Sequence, residues 1–347
     1  MVKNKGKRKW YLMAALLVLL AAAIYTLRPQ KSNYTPPPSD VVVRFETQRF
    51  DQELWALRDS LQYAVADAFK ERYRDFLPFY ASTLVQLGRP NDPQLLERLQ
   101  AYLHDPYIDT VYRDVLQHFA DFSPFDSQFN DAFRFLKMYF PQAPTYDIIT
   151  HVSGFQYKTA LIDSAVLVGL DLYLGRDYRY YPKVEYMTAY LMRRLDDRHL
   201  VPDAMQLILE DLIPEFGNSN KLLHRMLEQG KALYALKKVL PNTPDSTLFG
   251  YTTTQMNWVT ENETNIWAYM LNRDILFTTD LGELARFMQD GPFTNGLPEE
   301  APARLGHFIG YRIINVYMEQ NKQTALADLF ADNDYDTIFK KSAYKGR

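Results

Sequence analysis

The residues of this chain that could do chemistry are few and far apart. Six histidines stand at His104, His118, His151, His199, His224 and His307. A zinc hydrolase commonly sets two imidazoles four residues apart on one helix face, with a glutamate beside the first to activate the metal-bound water. No two histidines here are four apart, and H-E-x-x-H is absent. His224 and Glu228 do have that spacing and share a face if their segment is helical. With Glu210 they form the one set from which an unconventional metal site can be assembled. Asp171 and Asp177, with Gly175 between them, offer oxygen ligands for calcium. Their spacing departs from the twelve-residue calcium loop, and aspartates flanking a glycine are ordinary turn formers. Ser153-Gly154 and Ser164-Ala165 lack the strand–turn–helix context of a nucleophile elbow. No glycine-rich phosphate loop or dinucleotide fingerprint is present. Glu261 and Glu263 point apart on a helix, whereas Trp258, Glu261 and Tyr269 can line one groove.

The elements that must position these groups follow from periodicity. Val41–Phe45 reads as a first strand. From Gln52 to about Phe140 the pattern is helical. Leu54, Leu57, Leu61 and Val65 recur at helix spacing, as do Leu95, Leu96, Leu99 and Leu103, and then Ala132, Phe135, Leu136 and Tyr139. Three short β-rich runs follow, at 147–152, 159–162 and 165–170. After Pro182 helices are expected near 183–196, 202–214, 219–239, 251–274, 279–288 and 301–321. The fold class is α+β, mostly helical, with a small sheet of three or four strands between two helical blocks. Gly230 sits inside one expected helix, where glycine costs about 1 kcal/mol relative to alanine. It implies a close approach of a neighbouring element. Gly306 and Gly310, four apart, clear one stripe of another helix for the same purpose.

Composition narrows the classes further. The chain has 347 residues, 47% hydrophobic and 23% charged, which are globular values. A formal net charge of −3 gives no electrostatic case for nucleic acid. Aromatic content is 14%, with 25 tyrosines, which suit half-buried surfaces and interfaces. There is no cysteine, so disulfides, thiolate metal sites, a cysteine nucleophile and lipid attachment through cysteine are excluded. A basic segment at 1–9 leads into an uncharged apolar run at 10–27, long enough to span a bilayer and longer than a usual signal core. The charge bias places its start in the cytoplasm and exports the body. Ala21-Ala22-Ala23 is the small-residue site if the run is cleaved. Residues 28–39 carry Pro29 and Pro36-Pro37-Pro38, a semi-rigid spacer. The remainder, 40–347, reads as a single domain.

Four segments carry a family likeness: MLEQGKALY (Met226–Tyr234), FGYTTTQMNWVTENETNIWAYM (Phe249–Met270), the loop Asp290-Gly291-Pro292-Phe293, and EEAPARLGHFIGYRIINVYM (Glu299–Met318). Together they resemble the gliding-motility-associated lipoprotein GldB of Bacteroidota and, more distantly, predicted zinc-dependent proteases of the zincin fold. The likeness spans roughly 41–345. It implies a cell-envelope protein associated with gliding motility and type IX secretion, with envelope proteins of that machinery as partners and no small-molecule substrate. In the zinc family the helix matching Pro202–Pro214 carries the paired imidazoles; here Met205, Leu207 and Leu209 stand there. Glu228 occupies the place of the third ligand, and Arg304 that of an arginine pinning the loop of Phe293. The expectation is a degenerate zincin-like body without metal or other cofactor, non-catalytic, membrane-anchored through 10–27 and acting as a binding or assembly module. The alternatives are a hydrolase with an unconventional site, or an envelope chaperone whose vacated cleft takes extended peptide along the strand near 165–170.

Overall fold

Helix faces in the first block bury what their spacing predicts. The computed structural model describes residues 34–61, 65–89, 92–214 and 220–346. The first block comprises α1 (Phe50–Ala56), α2 (Val65–Arg72), α3 (Phe76–Phe79, continued by a wider turn at Tyr80–Leu84), α4 (Leu95–Leu103), α5 (Pro106–His118) and α6 (Ser123–Tyr139). Leu95, Leu99 and Leu103 of α4 are buried, as are Ala132, Phe135 and Leu136 of α6. Asp105 starts α5 by accepting from the amides of Tyr107 and Ile108 at 2.9 and 3.1 Å, with Pro106 where a missing N–H costs nothing. The stripe Leu54-Leu57-Leu61-Val65 is not one helix. α1 ends at Ala56, and Leu57 onward forms turns.

The sheet lies between the blocks, in the order β1 (Thr47–Gln48), β2 (Asp147–His151), β4 (Ala165–Gly169), β3 (Thr159–Ile162). β1, β2 and β4 run parallel, and β3 returns antiparallel to β4. β4 is buried along its whole length and β3 is half-buried throughout. β4 is therefore an interior strand, and the sheet's edges are the two-residue β1 and the antiparallel β3. Val41–Phe45 is not a strand. Arg134 reaches the carbonyls of Val41 and Pro38, and the Phe45 ring packs 5.2 Å from that of Phe133. Side chains hold that segment, and laddering begins only at Thr47.

The second block contains α7 (Ala189–Met192), α8 (Leu200–Asp211), α9 (Leu222–Val239), α10 (Asp245–Phe249), α11 (Thr253–Glu261), α12 (Glu263–Asn272), α13 (Leu281–Met288), α14 (Leu305–Gln320), α15 (Leu326–Ala331) and α16 (Tyr335–Ser342). The helix expected over 183–196 shrinks to α7 with single tight turns on either side. Pro182 and a run of aromatics packed on one another replace it. The helix expected over 251–274 is two. A reciprocal capping box of Thr252 and Gln255 starts α11, and Asn262 divides it from α12 by donating its side-chain amide to the Trp258 carbonyl at 3.0 Å. The architecture is mostly helical α+β with one small mixed sheet, and Pro37–Arg347 forms one compact unit. The apolar run at 10–27 lies outside the described residues. Among those described, no helix is long and apolar enough to cross a membrane.

Candidate functional site

The glycines singled out by the sequence meet at one place. α9 crosses α14 with Gly230 against Gly310. A Cβ on Gly230 would lie 2.4 Å from the Gly310 carbonyl, and one on Gly310 would lie 1.7 Å from the carbonyl oxygen of Met226. These are backbone atoms, so no side-chain adjustment could make room. Gly306, one turn earlier, admits the sulfur of Met288 and the side chain of Met226. MLEQGKALY is therefore a helix-crossing segment.

Its ionisable residues face different neighbours. His224 Nε2 lies 3.0 Å from Asp336 Oδ1, and Glu228 pairs with Arg225 one turn away at 3.1 Å. Glu210 accepts from Gln206 at 2.8 Å. Burial pushes its carboxyl above the ordinary range, hydrogen bonds from Gln206 and Gln229 pull back, and the nearby charge of Glu228 adds to the rise. Glu210 and Glu228 are thus neighbours, but His224 is turned to another carboxylate. Among the described residues no three His, Asp or Glu are placed to hold a metal ion. The calcium reading of Asp171 and Asp177 does not hold. Asp171 is fully buried and accepts from the amides of Ser153 and Phe155 at 3.2 and 2.6 Å, fixing a tight loop. Asp177 is exposed beside Arg176. Gly175 is at φ +98 with open space around it. Trp258 and Glu261 sit on α11 and Tyr269 on α12, where its hydroxyl accepts from Arg286.

What the structure assembles instead is a groove of about 380 Å³ between β3 and α8. Phe155, Lys158 and Thr159 form one wall, and Asp203, Gln206, Leu207 and Glu210 of α8 the other. Met187, Leu191 and Arg194 overhang it. α8 can do this because its faces differ: Met205 and Leu209 are fully buried in the core, while the i, i+3, i+4, i+7 set at 203, 206, 207 and 210 turns to the groove.

A chain of alternating charges runs through it. Asp203 receives Lys158 Nζ at 2.5 Å, Arg194 at 3.2 Å and the Tyr173 hydroxyl at 3.2 Å. Arg194 also faces Asp290 at 3.6 Å, and Asp290 holds Arg304 at 2.9 Å. Arg304 donates to the Phe249 carbonyl at 2.6 Å. Burial would raise the Asp203 carboxyl, but the charges of Lys158 and Arg194 outweigh it and hold it below the usual range. Burial lowers Lys158, with Asp203 pulling it back. Burial and the like charge of Arg194 lower Arg304. Gly250, at φ +65, ends α10 where a Cβ would meet both guanidinium groups within 3.0 Å. Arg304 thereby ties the loop of Phe293 to the groove through Asp290. Phe293 itself lines an adjoining hollow beyond Asp290.

Lys158, Arg194, Asp203 and Asp290 carry no motif. They are scattered over more than 130 positions, and only their partner Arg304 and the loop beginning at Asp290 stand out in the sequence. The one local signal was the polar stripe Asp203, Gln206 and Glu210 on a helix whose other face is apolar.

The groove, the mixed sheet with its antiparallel edge strand β3 and the two helical blocks define a mostly helical α+β protein with a charge-lined cleft. Residues 31–346 match the family model described as gliding motility protein GldB, and the chain belongs to that family. No curated protein and no solved structure matches it.

Proposed function

We propose that this protein is a non-catalytic, envelope-located component of the gliding apparatus. It holds a partner of that apparatus, or of the linked type IX secretion machinery, in the groove between β3 and α8. The observation that carries this reading is the closed ion-pair chain from Lys158 to Arg304. Each of its carboxylates is matched to a cation, so the cleft is built for shape and fixed charge, with its groups committed to one another. The apolar core face of α8 and the separate partners of His224 and Glu228 support a binding role over hydrolysis. The order of mixed sheet, α8 and α9 is the support for regarding the body as a zincin-like frame without ligands. An export and anchoring role for residues 10–27 belongs to the same proposal and rests on their sequence.

The test is a chromosomal Gln156→Trp variant in the source organism. Gln156 is exposed at the groove mouth and makes none of the ion pairs. Colony spreading is expected to fall to the level of a gene deletion with protein abundance unchanged. Full spreading in this variant would overturn the groove as the docking site. A deletion that leaves spreading intact would overturn the link to gliding.

A further inference from the structure

The β3 edge of the sheet opens onto this groove, and its hydrogen-bonding groups can be assigned one by one. Gly169 N–H donates to the Lys158 carbonyl at 2.8 Å, and Thr159 stands opposite Val168. In an antiparallel ladder, bonded and non-bonded pairs alternate. Lys158, Ala160 and Ile162 therefore direct their amides and carbonyls to β4. Thr159 and Leu161 direct theirs outward, where they meet no hydrogen-bond partner among the described residues. An unsatisfied edge is a template for another strand unless charge, proline or a covering element blunts it. Here β3 is half-buried, contains no charge or proline, and has the groove beside it.

The segment 174–195 above the groove supplies a sign. Apart from Arg194, which belongs to the groove's own set, it holds Arg176, Arg179, Lys183 and Arg193; Arg176 is paired with Asp177 and Arg179 with Asp114 of α5, which leaves Lys183 and Arg193 against Glu185. The segment's later part lines the groove through Tyr186, Met187 and Leu191, and Arg193 precedes the groove residue Arg194 directly. The groove's own charges, three cations against Asp203, Asp290 and Glu210, balance one another. The overhang is what biases the field at the mouth.

Resting on the reading of the groove as a docking site, we infer that its occupant is an extended, acidic peptide segment. This segment adds to β3 through Thr159 and Leu161 and places its carboxylates under the basic overhang. Main-chain bonds to the edge would supply affinity, and the apolar side chains of Leu172, Leu191 and Leu207 would receive alternate residues of the incoming strand.

The probe is a fluorescein-labelled octapeptide, Thr-Val-Thr-Val-Thr-Val-Glu-Glu, titrated into the purified full-length chain by anisotropy. A version ending in two lysines and one with alternate N-methylated amides are the comparisons. The acidic peptide is expected to bind about tenfold tighter than either, the effect of one charge pair or one lost hydrogen bond. Thr159→Pro removes one outward donor and leaves the β4 ladder intact, so it should lower affinity about tenfold without shifting the melt. Thr159→Val should bind as wild type. Lys183→Glu with Arg193→Glu lies off the strand and should invert the preference between acidic and basic peptides. No saturable binding of the acidic peptide, or equal binding by Thr159→Pro and wild type, would overturn strand addition. A peptide-free dimer abolished by Thr159→Pro would assign the edge to a second copy and equally overturn it. If Gln156→Trp stops spreading while the acidic peptide fails to bind, the docking site stands and this inference falls.

Discussion

The α9–α14 crossing and the β3–α8 groove divide the molecule's conspicuous features between them in opposite ways. At the crossing the sequence looks functional, with a glutamate, a histidine and a glycine inside one helix, but the structure uses the glycine for packing and gives the histidine and the glutamate separate partners, Asp336 and Arg225. At the groove the sequence is quiet, yet five charges from five segments interlock beside an open strand edge. Contact between backbones demands a particular residue, glycine, and so leaves a mark in the sequence. A cleft assembled from distant positions demands only complementary charge, which no local pattern reveals.

Mutations should separate the two regions, beginning with the largest effect. Gly310→Ala forces a carbon into the Met226 carbonyl and should cost about 4 kcal/mol or prevent folding, measured by denaturant unfolding. A cost below about 1 kcal/mol would mean that the crossing is looser than described. Asp203→Ala removes the shared partner of Lys158 and Arg194. It leaves two largely covered cations facing each other and should cost about 3 kcal/mol. Asp203→Asn should recover only part of this, because it restores shape without charge.

Acid sharpens the contrast through three histidines, His151 and His199 buried and His307 half-buried with its ring on the Met288 carbonyl. Burial depresses His151 and His307 to about 3 and His199 to about 4. Each is neutral when folded and takes up a proton on unfolding below pH 6.5, so their contribution is present above 6.5 and is lost as pH falls through the folded values. Asp171 acts oppositely. Burial raises it to about 6, so its contribution is greatest near pH 4 and declines as pH rises to 6. Three groups outweigh one, so the melting temperature should fall steadily from pH 6.5 to 4. Asp171→Asn should steepen that fall. A flat profile would show that these histidines take up protons in the folded state as readily as in the unfolded one. The smallest effect belongs to Glu228→Ala, whose loss of an Arg225 pair should change stability by no more than about 0.5 kcal/mol.

The α+β order, α4, α6 and the three central strands were legible because each repeats its apolar residues at one period. The breaks were not. Leu57 continues the α1 stripe but lies past the helix end, and Asn262 interrupts an otherwise helical run by bonding back to Trp258. The edge position of β3 was illegible as well. Apolar runs at 159–162 and 165–170 look alike, and only pairing shows that the second is interior. In α8 the apolar composition pointed correctly to core for Met205 and Leu209. It hid the minority face, where Asp203 meets residues 45 positions before it and, through Arg194, 87 positions after it.

The most direct measurement places a photo-crosslinker in living cells at each of the two regions, as Gln156→p-benzoylphenylalanine and Glu228→p-benzoylphenylalanine. Docking in the β3–α8 groove should give a light-dependent adduct with an envelope protein from position 156 and none from 228. An adduct from 228 alone would contradict it and return the working site to the helix that carries His224 and Glu228.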